Sequence, residues 1–167
     1  MKVRGKVWKY GDEIDTDGIY PGKYLVSFDP AEAGQHAMEG IEPDFHDKIS
    51  KGDILVVGNN FGSGSAREQA ALALKYAGVG AVIAESFART FYRNAINIGL
   101  PVIEMKGVHD QIAEKDEVEV DLDGGKIRNL TQGKEYGFPP IDAFIMELLK
   151  MGGAIPYYKS RIKRQDR

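Results

Sequence analysis

Cysteine is absent from all 167 residues. That absence removes disulfides, thiolate nucleophiles, zinc–thiolate sites and cysteine-held iron–sulfur clusters from this chain. It suits a reducing compartment, where proteins keep few disulfides. Also missing is any apolar run near the roughly 20 residues needed to cross a bilayer. The opening MKVRGKVWKYGDEIDTDG has no apolar signal core and passes straight into polar turn residues. A large excess of one charge sign is missing as well: a formal net charge of -3 offers no bulk attraction to nucleic acid or an anionic membrane. Histidine occurs only at His36, His46 and His109, scattered on what reads as surface and without metal-ligand spacing. The expectation is a soluble, cytoplasmic protein with no metal of its own and no nucleic-acid or membrane partner. What the chain does have is apolar content, 43% over one domain's length, enough to bury a core.

Hydrophobic patterning sets the order of elements. Residues 3–8 alternate as an early half-buried strand does, and residues 10–18 are acidic and turn-like. Residues 21–28 read as a loop or short helix leading into a helix over residues 30–39. Residues 53–58, DILVVG, are a continuous apolar run and hence a buried strand. A loop at residues 59–64 is followed by a helix over 65–77, which Gly78 stops. A buried strand at 81–84, a helix at 87–98 and a short strand at 101–104 complete a β-α-β-α-β series, which predicts parallel strands with crossover helices. Strands at 117–122 and 126–130 flank Asp123-Gly124-Gly125, a hairpin signal. A last helix over 139–151 stops at Gly152-Gly153, and residues 158–167 read as a mobile basic tail. The fold expected over residues 1–167 is a single α/β domain: a mostly parallel core sheet, crossover helices and added antiparallel strands.

The stretch GNNFGSGSAREQAALALK, residues 58–75, carries the chemistry. It joins a buried strand to a helix through glycines, at the carboxyl end of a parallel strand, where such folds bind ligands. A helix N-terminus offers unpaired N–H groups to an anion, Gly62 and Gly64 allow close backbone approach, and Arg67 offers a planar fork for a carboxylate or phosphate. A purely structural reading also fits: Ser65-Ala66-Arg67-Glu68 matches a capping box, with Ser65 as N-cap. Arg67 in the first turn opposes the helix dipole, a choice that serves an anion site better than stability. A P-loop lacks its lysine here, and a dinucleotide loop needs a third glycine where Arg67 stands. A nucleophile elbow needs a spacing that Gly62-Ser63-Gly64 does not have. A binding module for an anion or nucleotide, without turnover, remains open at this point.

Four motifs in order along almost the whole chain resemble the swivelling domain of the aconitase superfamily, and more closely the archaeal-type small subunits of isopropylmalate dehydratases. Asp15-Thr16-Asp17 resembles an early DTD motif. Tyr24-Leu25-Val26-Ser27 falls where those subunits carry a specificity loop. The sequence Asn60 to Glu68, NFGSGSARE, resembles the Gly-x-Gly-Ser-Ser-Arg-Glu motif. The sequence Ser86 to Leu100, SFARTFYRNAINIGL, resembles a long second signature. Ala66 stands where many members have a second serine, Ser63 replaces a common cysteine, Gln69 a frequent histidine, and Gly18 a larger residue.

The resemblance implies a swivelling β/β/α domain and a hydro-lyase. Such an enzyme interconverts 2- and 3-isopropylmalate through isopropylmaleate in leucine biosynthesis, and acts only with a large subunit that holds a [4Fe–4S] cluster. It implies Ser65 as the base toward a C–H proton and Arg67 as the clamp on a substrate carboxylate. The substrate, a small hydroxy-dicarboxylic acid, would lie against Gly64 and Ala66, with Asp17 nearby. Val26 bears on the choice of substrate: in the resembling subfamilies an apolar residue there goes with an isopropyl group and an arginine with a longer tricarboxylic acid. A valine packs an alkyl group and cannot pair a carboxylate. Lys23, three residues away, is a candidate carboxylate contact, so homoaconitate, citraconate and dimethylmalate stay in view. Arg89 and Arg93 share one helical face, read as exposed or salt-bridged. Self-association of the small subunit is a further expectation.

Overall fold

The continuous apolar runs form the middle of one sheet. In the computed structural model, which describes residues 1–27 and 29–165, the strands are β1 (Lys2–Lys9), β2 (Ile54–Val57), β3 (Ala81–Ala84), β4 (Val102–Glu104), β5 (Glu117–Asp121), β6 (Lys126–Asn129) and β7 (Lys134–Gly137). Their spatial order is β4-β3-β2-β1-β5-β6-β7. The β1, β2, β3 and β4 side is parallel, and the β1, β5, β6 and β7 side is antiparallel. β1 divides its length between the two: Lys2 to Lys6 pair with β5, and Val7 to Lys9 pair with β2.

β2 and β3 are buried at every position, as strands covered on both faces must be. Leu55, Val57, Val82 and Ala84 enter one apolar cluster, and Ile54, Val56 and Ile83 the other. β5 alternates instead, with Val118 and Val120 buried between half-buried Glu117, Glu119 and Asp121, which suits a strand with one dry face. The helices are α1 (Thr16–Ile19), α2 (Pro30–Gln35), α3 (Phe45–Lys48), α4 (Glu68–Ala77), α5 (Arg89–Ile98), α6 (Val108–Gln111), α7 (Ala143–Met151) and α8 (Ala154–Gln165). Side chains of α2, α4 and α5 fill the first cluster, and those of α6 and α7 line the second. α2 approaches α4 closely at Gly34, where an added Cβ would fall 2.7 Å from the Tyr76 carbonyl carbon. None of the helices among the described residues is long and apolar enough to cross a membrane.

Several elements depart from expectation. α2 ends at Gln35 rather than Glu39, because Met38 takes a φ of 59° and its N–H bonds the Ile19 carbonyl at 2.7 Å, so a tertiary contact replaces a helical one. β7 is polar throughout, KEYG, and gave no strand signal. The stretch read as a mobile tail is helical through Gln165: α8 is anchored by buried Tyr157, whose ring meets Phe144 at 5.5 Å and carries Arg161 at 4.8 Å. One anchoring ring in a basic segment leaves little periodicity to read. Phe28, in the loop expected over residues 21–28, and Asp166 and Arg167, in the expected tail, lie outside the described residues.

At the junction of the two halves, buried Asp53 accepts three hydrogen bonds, from Trp8 Nε1 at 2.9 Å, Lys6 N at 3.0 Å and Ser50 N at 2.9 Å. Removing that carboxylate strands three donors, at about 1–3 kcal/mol for each one left dry. Asp53→Ala is therefore expected to lower stability by at least about 2 kcal/mol, read as a fall of roughly 5 °C in Tm. An unchanged melting curve would contradict this account of the junction.

Candidate functional site

Three loops leave the carboxyl ends of β1, β2 and β3 side by side, and the chain laces them together. Glu13 N donates to Asn59 O at 2.8 Å, Gly62 N to Ile14 O at 2.8 Å and Thr16 N to Ser63 O at 2.9 Å. On the other side, Asn60 N donates to Ser86 Oγ at 2.9 Å, Phe61 N to Ser86 O at 3.1 Å and Ala88 N to Phe61 O at 2.9 Å. Segments far apart in sequence thus become one surface. Beneath it, Phe61, Phe87 and Phe91 form a buried aromatic floor, with Phe61 edge-on to Phe91 at 5.2 Å. Gly62 crosses that floor at φ 82°, and a Cβ there would lie 2.3 Å from the Phe91 ring. No side chain fits at that point.

The glycine-rich loop does not run directly into the helix. Gly64 turns at φ 85°, Ser65 and Ala66 follow in irregular, exposed backbone, and α4 starts only at Glu68. The capping box is not formed: the N-cap is Arg67, at φ -131° and ψ 109°, and no side chain caps the helix. Arg67 therefore stands just before the first turn rather than within it. The cause is Thr16, which is buried and whose Oγ1 donates to the Ser65 carbonyl at 2.9 Å. That bond holds Ser65 outside the helix. Among the described residues, the Ser65 hydroxyl and the backbone N–H groups of Gly64, Ser65, Ala66 and Arg67 have no hydrogen-bonding partner in the protein. They form a row of donors at the positive end of a ten-residue helix.

Arg67 is aimed by Asp17. Its Nη1 donates to Asp17 Oδ1 at 2.9 Å and reaches the Tyr20 carbonyl at 3.4 Å. The same Oδ1 accepts from Gly22 N at 2.8 Å. The hydrogen bond from Arg67, then that from Gly22, holds the Asp17 carboxyl below its ordinary range. Nε and Nη2 of Arg67 have no partner among the described residues, so one edge of the fork is free. Only 19% of the Arg67 side chain is exposed.

Asp17 also anchors the next turn. Gly22–Tyr24 is a single 3-10 turn, and a Cβ at Gly22 would sit 3.3 Å from both Arg67 Nη2 and Asp17 Oδ1. Beyond it, Val26 is 87% exposed. Lys23 points instead at Glu39, with Nζ 3.3 Å from the carboxylate. Sequence reading passed over Glu39, and over His36 as a surface residue. In the structure Tyr24 Oη donates to Glu39 Oε1 at 2.6 Å, His36 Nδ1 lies 2.6 Å from Oε2, and the His36 ring stacks on Tyr24 at 3.6 Å. The spacing of His36 and Glu39 after a helix was the available signal, and it is weak alone. Burial alone would raise the Glu39 carboxyl, but the bonds from Tyr24, His36 and Lys23 prevail and lower it.

The structure thus brings Ser65, Gly64, Ala66, Arg67 and Asp17 together. It places Val26 on the adjoining turn and gives Lys23 an internal partner. Among the described residues no group of His, Asp or Glu could hold a metal ion. Arg89 and Arg93 are exposed and form no ion pair among the described residues.

Comparison with known proteins places the chain in a family. Residues 43–107, which run from before α3 through the glycine-rich loop and stop just short of α6, match the aconitase C-terminal domain. A 3-isopropylmalate dehydratase small subunit from Thermodesulfovibrio yellowstonii is 50% identical over 99% of both chains. The chain belongs to the 3-isopropylmalate dehydratase small-subunit family. A methanogen homoaconitase small subunit from Methanothermobacter thermautotrophicus is 54% identical over 96% of this chain and 92% of its own. A crystal structure of a 3-isopropylmalate dehydratase from Methanocaldococcus jannaschii superposes with a TM-score of 0.93, at 45% identity, over 99% of this chain and 98% of that one. Membership of the 3-isopropylmalate dehydratase small-subunit family accounts for the four motifs standing in one order, and the lacing described above brings three of them onto one surface.

The Arg67–Asp17 pair makes a direct prediction. Asp17 has its depressed pKa because Arg67 favours the charged form. Arg67→Gln removes the cation and the Asp17 carboxyl should then titrate at higher pH, toward the ordinary carboxylate range. Carbon-detected NMR of the side-chain carboxyl measures this, and an Asp17 titration identical in both proteins would rule the pairing out.

Proposed function

We propose that this chain is the small subunit of a two-chain hydro-lyase of leucine biosynthesis, working in the cytoplasm, that interconverts 2-isopropylmalate and 3-isopropylmalate through isopropylmaleate. The observation that supports the reading most directly is the exposed Ser65 hydroxyl without a protein partner, set between the free N–H groups of Gly64 and Ala66 and next to an arginine already oriented. Gly64, Ser65 and Ala66 are exposed. The loop is an open face, which suits half of a site whose other half a large subunit supplies. A self-contained nucleotide or anion module would instead enclose its ligand.

The roles follow from the chemistry. Dehydration removes a proton from the carbon beside a carboxylate and a hydroxyl from the neighbouring carbon. Ser65, as alkoxide, takes that proton; the electron pair of the broken C–H bond becomes the new C=C bond as the hydroxyl leaves. Hydration reverses both events and Ser65 returns the proton. A serine alkoxide is accessible only where charge is stabilised, and here the helix N-terminus and Arg67 do so. Arg67 Nε and Nη2 hold the substrate carboxylate, which gains negative charge as the proton departs, with the N–H groups of Gly64 and Ala66 alongside. Asp17 keeps the guanidinium in place. Cysteine-free, this chain holds no cluster ligand; bound on the large subunit, a [4Fe–4S] cluster supplies Lewis acidity toward the departing hydroxyl.

Isopropylmalate is preferred over a longer tricarboxylic acid because the turn beside Arg67 exposes a valine, and because its one cation, Lys23, is engaged by Glu39. An apolar surface rewards an alkyl group and leaves an extra carboxylate unpaired. The homoaconitase relative keeps that acid as the competing substrate.

The test mixes the chain with a candidate cluster-bearing large subunit under anaerobic conditions and follows hydration of isopropylmaleate. Ser65→Ala should lower turnover by at least about a hundredfold, the scale of a positioned base, while the two chains still co-elute. Full activity in that variant refutes the assignment. Val26→Arg should lower kcat/KM for isopropylmalate by about tenfold or more; an unaltered substrate preference contradicts the role given to the turn.

A further inference from the structure

The turn that carries Val26 is held from two sides. Its start is tied to the Arg67–Asp17 pair through Gly22 N. Its middle is tied to the segment after α2, where Glu39 accepts from Tyr24 Oη and sits within ion-pair distance of Lys23 and of His36 Nδ1. The His36 ring lies flat on Tyr24, 11° from parallel, and Tyr20 Oη donates to the Tyr24 carbonyl at 3.1 Å. Side chains of Glu39 and His36 are 22% and 23% exposed, so the contact is largely sheltered from water and weakened little by screening. Between the two ties the backbone makes only single-turn bonds: Tyr24 N to Pro21 O, Leu25 N to Gly22 O and Ser27 N to Tyr24 O, at 3.1, 3.1 and 3.2 Å. A 3-10 turn of this length does not persist on its own. The end of the turn is tied to α2 separately, Ser27 Oγ donating to Glu32, and Leu25 packs on the first apolar cluster; the Glu39 clamp fixes its middle, at Tyr24.

We infer that Glu39, acting through Tyr24 and His36, is a positioning residue for substrate selection: it fixes the distance between the exposed Val26 and the Arg67 edge. The inference rests on the reading of that turn as the part that meets the variable end of the substrate. Arg67 grips one carboxylate, so the location of Val26 relative to it sets which alkyl group fits. Glu39 touches neither Ser65 nor Arg67 and takes no part in proton transfer. Its loss should weaken binding of the alkyl end while leaving the chemical step in place, which is the kinetic mark of lost binding shared by ground and transition states.

Two measurements on the same variants test this. Hydrogen exchange on the isolated chain is followed at the Tyr24, Leu25 and Ser27 amides, with Val56 in β2 as internal control. Glu39→Ala should speed exchange at the turn by about tenfold or more and leave Val56 unchanged. Kinetics are then measured in the complex with the large subunit: Glu39→Ala should raise KM for isopropylmalate by about tenfold with kcat within about twofold. Glu39→Gln, which still accepts from Tyr24, should recover part of the loss. Tyr24→Phe keeps the ring on His36 and removes one hydrogen bond, and should give a smaller shift in the same direction even if Glu39→Ala folds poorly. Unchanged turn amides in both Glu39→Ala and Tyr24→Phe overturn the clamp, whatever the substrate. Faster exchange with unaltered KM, where Val26→Arg does change preference, overturns the positioning role and leaves the Val26 reading standing. If Val26→Arg changes nothing either, the reading of the turn itself falls, and this inference with it.

Discussion

The candidate site depends on one buried threonine. Thr16 donates from its backbone N–H to Ser63 and from its hydroxyl to the carbonyl of Ser65. Both bonds compete with helix formation at residues that, read locally, should begin α4. Each bond is worth only about 1 kcal/mol net, yet nucleating an earlier helical turn gains little more, because the first residues of a helix make no return bonds of their own. The tertiary bonds prevail, and the N-cap falls at Arg67, two residues later than the capping box suggests. The outcome is chemical: a serine that would have spent its hydroxyl on a backbone N–H keeps it, and the N–H groups it would have capped stay free.

The same competition explains what was legible in the sequence and what was not. The all-apolar runs at β2 and β3 declared themselves as doubly covered strands, since burial on both faces leaves no polar position to hide. The glycine-rich loop and Arg67 stood out because a guanidinium at the positive end of a helix opposes the dipole, and Ser65 was singled out by the family resemblance. The role of Ser65 as N-cap was also read, and wrongly, because a capping box is defined by neighbours in sequence and Thr16 lies 49 residues away. β7 went unseen because KEYG is polar and owes its pairing wholly to β6. α8 was hidden because one buried tyrosine carries its attachment. Glu39 and His36 were overlooked for a related reason: a histidine and a glutamate three apart are common, and only folding brings Tyr24 between them.

Charge placement shows how an acidic chain presents a site for an acidic ligand. A dicarboxylate approaching Arg67 also approaches Asp17, which is 65% exposed and would repel it. Holding Nη1 against Asp17 spends one nitrogen and fixes the plane of the guanidinium, and the Nε–Nη2 edge that remains is still a two-donor fork matched to a carboxylate. An arginine without that partner would carry more net positive charge but also about 2 kcal/mol of side-chain freedom to lose on binding. The pair gives up some attraction for a fixed direction, a sound exchange if, as proposed, the reacting carbon meets Ser65 within a few tenths of an ångström.

A fixed direction matters more here than in a single-chain enzyme. On the proposed reading the metal-bearing half stands on another polypeptide, so the substrate would be shared between two bodies whose relative placement is set by docking. Whatever this chain contributes must be rigid before the partner arrives, since any slack adds to the slack of the interface. The lacing between the three loops, the phenylalanine floor beneath Gly62 and the salt bridge at Arg67 all remove slack without enclosing the ligand. An open, pre-ordered face is the arrangement expected of a chain that supplies a base and a carboxylate clamp and leaves activation of the leaving hydroxyl to its partner. Enclosure, which a self-sufficient active site would need in order to exclude water, would here shut out the other half of the reaction.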